Sequence, residues 1–377
     1  MEAESHHPQY RQGILTMNRI TDYVDLLVKT KVPYLDVIAF KDGEELFRYY
    51  NARKGATGKE RLLMFSATKP LTAVLALRLV EEGVLSLDTP VSELLPEYKD
   101  VYLLNEKGER IPPKTVMTVK HLLTMTAGLT YDLSRYPVEQ ALQGKGSMTD
   151  TRAAASAFAK APLVFNPGAR FQYSLCHDVL AAVIEVASGM PFSAYMKRII
   201  LDPLGMENTC FSKRSDNDVA DLYTADAEGN VYLSAKENTL LVSDRYESGG
   251  AGLISTIEDY ARFARALSIG GAGILQAESL KRLYTPTLDT IAVDNSFTCV
   301  QGSDYGYGLG VRVRRVPTAW GLSVGEYGWD GAAGTYLMVD PVKRVSVVIG
   351  LHLMNWPAVF RHEHLAIVQK IYEAFSI

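Results

Sequence analysis

Across residues 10–31 the apolar side chains Ile14, Met17, Ile20, Val24, Leu27 and Val28 return every three or four positions. That spacing places them on one stripe of a helix. Pro33 cannot continue the helix, and the chain turns there. Residues 34–40 read as a strand, Lys41-Asp42-Gly43-Glu44 as a turn, and 46–50 as the returning hairpin strand. Residues 71–80 are rich in Ala and Leu with no interior Gly, which predicts a buried helix stopped by Gly83. Pro70 is tolerated in its first turn, where the missing N–H has no partner to lose.

The middle of the chain keeps the helical period. Helices are predicted over 119–129, stopped by Gly128, and over 151–160, 179–187 and 192–201. Another begins after a cap at Ser255 or Thr256 and buries Tyr260, Phe263, Ala264 and Leu267. Residues 103–113 read as an exposed excursion, 131–147 as a loop-rich flap able to wall a pocket, and 213–248 as polar without clear elements. In the last quarter, residues 305–316, 324–329, 335–340 and 345–351 read as four strands, and 358–375 as a closing amphipathic helix. Strands at both ends and helices between them predict one sheet built from residues 1–70 and 290–377. A mostly helical subdomain, 71–289, is inserted, with the active site at the interface.

Composition narrows the function classes. A chain of 377 residues, 47% hydrophobic and 22% charged, can bury a sizeable core and has room for two subdomains. The net charge of −4 carries no basic excess, so a nucleic-acid partner is not expected. No apolar run reaches membrane-spanning length, and the start of the chain lacks the basic and apolar segments of a signal peptide. Cys176, Cys210 and Cys299 are an odd, widely spaced set without a metal-ligand pattern, which fits a reduced compartment. A cytoplasmic location, no metal and no cofactor are therefore expected. His6-His7 reads as part of an inert polar tail, and no feature predicts an oligomeric state.

The candidate chemistry begins at Ser66-Ala67-Thr68-Lys69. Residues three apart share a helix face, so Ser66 and Lys69 project side by side at the helix start. A serine hydroxyl is a weak nucleophile, and an adjacent amine kept neutral by burial can take its proton. Tyr173-Ser174 lies in a loop just after the turn signal Asn166-Pro167-Gly168 and before a buried helix, well placed to aim polar groups into a cleft. Trp329-Asp330-Gly331-Ala332 sits at a strand edge whose small residues let a backbone approach a ligand. The amides of Ser66 and Ala332 would together hold an oxyanion.

Other patterns read as structural. Gly321-Leu322-Ser323-Val324-Gly325 matches a nucleophile-elbow pattern but lacks the following helix. Ser215-Asp216-Asn217 lies in a charged, solvated run. Gly249-Gly250-Ala251-Gly252 lacks the ending of a phosphate loop and reads as a close backbone approach. His121, among apolar neighbours, reads as a satisfied structural histidine.

Taken in order, Ser66-Ala67-Thr68-Lys69, Tyr173-Ser174-Leu175 and Trp329-Asp330-Gly331 resemble the motifs of family VIII carboxylesterases, which are built like class C β-lactamases and penicillin-binding proteins. The resemblance extends over most of the chain, through residues 121–129, Pro203-Leu204-Gly205-Met206 and residues 249–253. It implies an α+β, serine β-lactamase/transpeptidase-like fold with an antiparallel sheet flanked by helices. Ser66 would be acylated, with Lys69 and Tyr173 moving protons. The base is either Tyr173, its phenolate stabilised by the Lys69 ammonium, or Lys69 itself.

Departures from the family pattern bear on the substrate. Class C β-lactamases have Asn where this chain has Leu175, and Lys-Thr-Gly where it has Trp329-Asp330-Gly331. Leu175, Trp329 and Gly331 would offer apolar contact and close approach, and Asp330 would add negative charge. The expected substrate is a neutral small-molecule ester with a short acyl chain. The alternatives are a β-lactamase or D-amino-acid-specific peptidase of the same superfamily, or a catalytically silent binding protein.

Overall fold

The computed structural model describes residues 8–53, 57–135, 150–212, 219–234, 245–288 and 304–377. Seven strands form one antiparallel sheet: β1 (Tyr34–Lys41), β2 (Glu44–Ala52), β3 (Tyr305–Tyr307), β4 (Arg312–Arg314), β5 (Tyr327–Asp330), β6 (Tyr336–Asp340) and β7 (Val345–Gly350), in the order β2-β1-β7-β6-β5-β4-β3. The two chain ends meet at the β1–β7 pair, where Val37 lies opposite Ile349 and Ala39 opposite Val347. The described residues include six helices of eight residues or more: α1 (Pro8–Thr30), α2 (Lys69–Glu81), α3 (Thr151–Phe158), α4 (Cys176–Ser188), α5 (Ile257–Ser268) and α6 (His364–Phe375).

Strand alternation divides the apolar side chains between two cores. On β6, Tyr336 and Met338 face one side, where Ile20, Val24 and Leu27 of α1 meet Ile367, Val368 and Ile371 of α6. Leu337 and Val339 face the other side and join the core of α2, α4 and α5. α5 packs on β1, β6 and β7, so the segment between the two parts of the sheet contributes a helix to the sheet layer as well. Of its two candidate caps, Thr256 is the one whose hydroxyl accepts the Asp259 amide, at 3.1 Å.

One strand differs from the sequence expectation. Residues 305–316 are not one strand but the hairpin β3–β4, with Arg312 opposite Tyr307. Gly310, at φ +85°, takes a left-handed conformation that an extended strand cannot pass through. The closing helix covers the expected residues, with a turn of π-helix at Val359–Glu363 leading into α6. The excursion near residue 105 is a two-stranded ribbon, with Leu103 paired to Ile111. Among the described residues no single helix is long and apolar enough to cross a membrane. His6-His7, Ser215-Asp216-Asn217, Cys299, the expected boundary at residue 290 and most of the flap lie outside the described residues.

Candidate active site

Ser66 sits on a 3₁₀ turn, Phe65–Thr68, and Lys69 opens α2 directly after it, its amide bonded to the Ser66 carbonyl. In a 3₁₀ turn positions three apart eclipse each other, which brings the two side chains closer than an α-helix would. Phe65, just before Ser66, holds φ at +47°. A buried aromatic residue in that region is strained, and such strain persists only where the surroundings fix it. Here the Met64 amide is bound to the Leu253 carbonyl at 2.9 Å, and the Thr68 hydroxyl donates to the Phe65 carbonyl at 2.7 Å.

Lys69 is fully buried. Its Nζ donates to Ser66 Oγ at 3.0 Å, to the Tyr131 hydroxyl at 3.1 Å and to the Gly250 carbonyl at 2.8 Å. The glycine run makes the last contact possible. A Cβ on Gly249 would meet the His177 carbonyl oxygen at 2.4 Å, and one on Gly250 would meet Asp178 Oδ2 at 2.4 Å. Only unsubstituted backbone fits between α2 and α4, as the close-approach reading expected. The buried Asp178 carboxylate in turn accepts the Tyr246 hydroxyl at 2.6 Å.

Tyr173 presents its ring face to Lys69, with Nζ 4.5 Å from the ring centroid. Its hydroxyl accepts the Trp329 indole N–H at 3.1 Å. The Tyr131 and Tyr173 rings lie 5.4 Å apart, and Trp329 stands edge-on to Tyr307 at 5.3 Å. The residues read from sequence as the reactive set are thus gathered around one amine. The hydroxyl in direct contact with that amine, however, belongs to Tyr131 rather than Tyr173. Burial, with Tyr173 and Asp178 nearby, pushes the Tyr131 phenol well above its ordinary range. Burial and the Lys69 charge press the His177 imidazole well below its own.

The strand-edge motif lies against the nucleophile turn. A Cβ on Gly331 would meet the Met64 carbonyl oxygen at 2.3 Å, so the turn carrying Ala332 touches the chain two residues before Ser66. Gly331 donates to the Thr335 carbonyl at 2.7 Å and Gly334 to the Gly331 carbonyl at 2.9 Å. Between them the Ala332 amide donates to no acceptor among the described residues, as an oxyanion donor requires.

Two expected substrate contacts are corrected. Leu175 is 5% exposed and packs into the core at the start of α4, so its apolar contact is with the protein. Asp330 is buried and paired with Arg312 at 3.0 Å, so its charge is neutralised inside the sheet instead of being offered to a ligand. Arg312 is itself fully buried and also reaches Glu326 at 3.3 Å and the Leu337 carbonyl at 3.0 Å. Such a chain of charges forms because a guanidinium taken from water needs several acceptors.

The structural readings of the remaining motifs agree with their surroundings. Ser323 lies in a loop between β4 and β5 with its amide on Asp340 at 3.1 Å. His121 Nδ1 accepts the Thr118 amide at 3.1 Å in a capping box. Sequence reasoning missed Tyr131 and the Gly250 carbonyl as partners of Lys69. The available signal for Tyr131 was its place directly after residues 121–129, at the edge of the flap. Among the described residues no group of three or more His, Cys, Asp or Glu side chains is arranged to hold a metal ion.

Comparison with known proteins extends this picture. The family model described as Beta-lactamase matches residues 19–370. Esterase EstB of Burkholderia gladioli is 29% identical over 319 residues, covering 75% of each chain. The structure of EstCE1, described as a hydrolase with promiscuous acyltransferase activity, superposes with a TM-score of 0.78 at 23% identity, covering 96% of this chain and 99% of the other. Simvastatin synthase (LovD) from Aspergillus terreus, as the LovD6 mutant, gives 0.79 at 20% identity, covering 99% and 100%. These two likenesses show a shared serine β-lactamase/transpeptidase-like α+β fold.

Proposed function

Because the chain belongs to the beta-lactamase family over residues 19–370, we propose that it is a serine hydrolase that cleaves small, neutral carboxylic esters in the cytoplasm through an acyl-enzyme on Ser66. The observation that carries this reading is the 3.0 Å contact between Lys69 Nζ and Ser66 Oγ, made by a lysine with no exposed surface. That contact puts an amine within hydrogen-bonding reach of the hydroxyl whose proton must leave for the oxygen to attack. The similarity to an esterase supports the choice of substrate class.

The reaction follows from this arrangement. Ser66 Oγ attacks the ester carbonyl carbon while its proton passes to Lys69 or Tyr173. The carbonyl electron pair moves onto oxygen, where the Ser66 and Ala332 amides receive it, each such donor worth roughly 10²–10³ in rate. Collapse breaks the bond to the alcohol, which leaves with the transferred proton, and the acyl group remains on Ser66. Water then attacks the acyl carbon with the same groups moving its proton, and the carboxylic acid departs.

Trp329 in place of the lysine of class C β-lactamases supports an uncharged substrate, since nothing cationic stands at that position to attract a carboxylate. The test is to incubate the protein with p-nitrophenyl acetate and butyrate, with nitrocefin and with a D-Ala-D-Ala peptide, and to locate any acyl group by mass spectrometry. Ester turnover with an acyl adduct on Ser66, lost in Ser66→Ala, is expected. Turnover of nitrocefin or the peptide with inert esters would replace the ester reading by its β-lactamase or peptidase relative. No adduct with any of them would leave a binding protein.

A further inference from the structure

Lys69 Nζ has three directions open besides its bond to Cε, and they are taken by Ser66 Oγ, Tyr131 and Gly250. As an ammonium it donates along all three. As a free amine it has two N–H groups and one lone pair, and only the lone pair can accept the Ser66 proton. The Gly250 carbonyl can only accept, so one N–H is always spent there. The direction of the lone pair then depends on the other oxygen.

From this geometry we propose that Tyr131 is a positioning residue for Lys69, accepting its second N–H so that the amine lone pair is left facing Ser66. The inference rests on the serine-hydrolase reading above and assigns the first proton transfer to Lys69. If Tyr131 instead donated its own proton to Nζ, an N–H would face Ser66 and the amine could not act as its base. The phenol does not ionise in the neutral range, being held well above its ordinary value by burial and by Tyr173 and Asp178, so it does not compete for the serine proton. Tyr173 cannot take this part, because it turns its ring face to Nζ and holds its hydroxyl on Trp329. In the step itself the Ser66 O–H bond breaks, an Nζ–H bond forms, Oγ bonds to the acyl carbon and the carbonyl pair moves to oxygen. Nothing is transferred to Tyr131.

The titratable groups around the amine are Tyr131 and Tyr173 above it, Cys176, His177 and Asp178 on α4, and Tyr246. All but Tyr131 are common to wild type and variant, so a difference between the two reports the missing hydroxyl. Tyr131→Phe keeps the ring contact with Tyr173. Its expected effect is a fall in the rate of Ser66 acylation by roughly tenfold or more, with KM changed by no more than about threefold. The acid limb of the kcat/KM profile moves to lower pH, because the ammonium loses one of its three acceptors. If the variant melts early, 3-fluorotyrosine at position 131, a weaker acceptor of the same shape, is expected to move the limb in the same direction. Labelling of Ser66 by a fluorophosphonate separates the two levels of failure. A wild type that is never labelled overturns the hydrolase reading and this inference together. A wild type that is labelled, beside a variant with unchanged rate and pH limb, overturns the inference alone.

Discussion

The indole of Trp329 donates its N–H to the hydroxyl of Tyr173 across 3.1 Å, with the ring centroids 5.4 Å apart. One contact thus links the sheet, through β5, to the loop before α4 and fixes where the Tyr173 oxygen sits, with the ring face turned to Lys69. Replacing Trp329 by Phe removes the donor but leaves an aromatic ring against Tyr307. A neutral hydrogen bond is worth about 0.5–1.5 kcal/mol, so kcat/KM for a short-chain ester should fall roughly three- to tenfold. Tyr173→Phe, which also removes the oxygen from the reaction, should cost more, on the order of 10². Steady-state kinetics of both variants beside the wild type check the ranking, and a larger loss in Trp329→Phe would reverse it.

Gly250 serves as an acceptor because it has no side chain. Ala at this position would place its Cβ 2.4 Å from Asp178 Oδ2, and the other oxygen of that carboxylate is held by the Tyr246 hydroxyl. Either the Asp178 cluster or the backbone must shift, and a shift of the backbone takes the carbonyl away from Lys69. Gly250→Ala should lose about 1–3 kcal/mol in urea denaturation, as overpacked sites do, and ester turnover should fall with it. Full activity in a stable variant would show that the Gly250 carbonyl is dispensable.

Asp330 behaves as part of the buried charge chain. Asp330→Asn leaves Arg312 with Glu326 and a carbonyl but one anion short, a change that costs on the order of 3 kcal/mol. The preference for a neutral ester over a carboxylate-bearing one should stay the same. Chemical denaturation and the ratio of the two kcat/KM values measure these effects separately. A changed ratio with unchanged stability would return Asp330 to the ligand site.

Asp36 sits on β1, one strand in from the sheet edge, fully buried, with one carboxylate oxygen unpartnered among the described residues. Burial pushes its carboxyl up to about 7; Arg48 and the Tyr34 hydroxyl oppose the shift, while Glu60 and Glu258 add to it. In the unfolded chain the group ionises near its ordinary value, about 4. Between about pH 4 and 7 the folded chain therefore holds a proton that the unfolded chain has released. Stability falls as pH rises through that window and levels off above about 7, where both states are ionised. Asp36→Asn should remove this slope, so its advantage over wild type grows to a few kcal/mol by neutral pH. Denaturation midpoints from pH 4 to 8 check the sign, and parallel curves for the two proteins would contradict it.

Much of this was legible in the sequence because the deciding signals were local. The period of apolar residues along α1 reports which face is buried, and the unbroken apolar runs of α2 and β6 mark elements covered on every side. Ser66 and Lys69 could be paired from spacing alone. What stayed hidden depends on partners distant in the chain. The Gly250 carbonyl lies 181 residues from Lys69, and Tyr131 lies 62 away. The burial of Asp330 depends on Arg312, a cation inside a run that reads as an ordinary strand. The β3–β4 hairpin was read as one strand because Gly310 is also compatible with an extended chain until the Tyr307–Arg312 pairing is known.

The pairing of β1 with β7 has a consequence for how the molecule is made. Tyr34–Lys41 leaves the ribosome long before one of its neighbours, Val345–Gly350. Until then β1 has only β2 beside it, and its other edge stays open. Contacts that close so long a loop form slowly and late. Assembly of this sheet, and of the strand edge beside the reactive serine, is thus deferred until the later strands have emerged, and an unpaired β1 edge on the nascent chain is open to aggregation in the meantime.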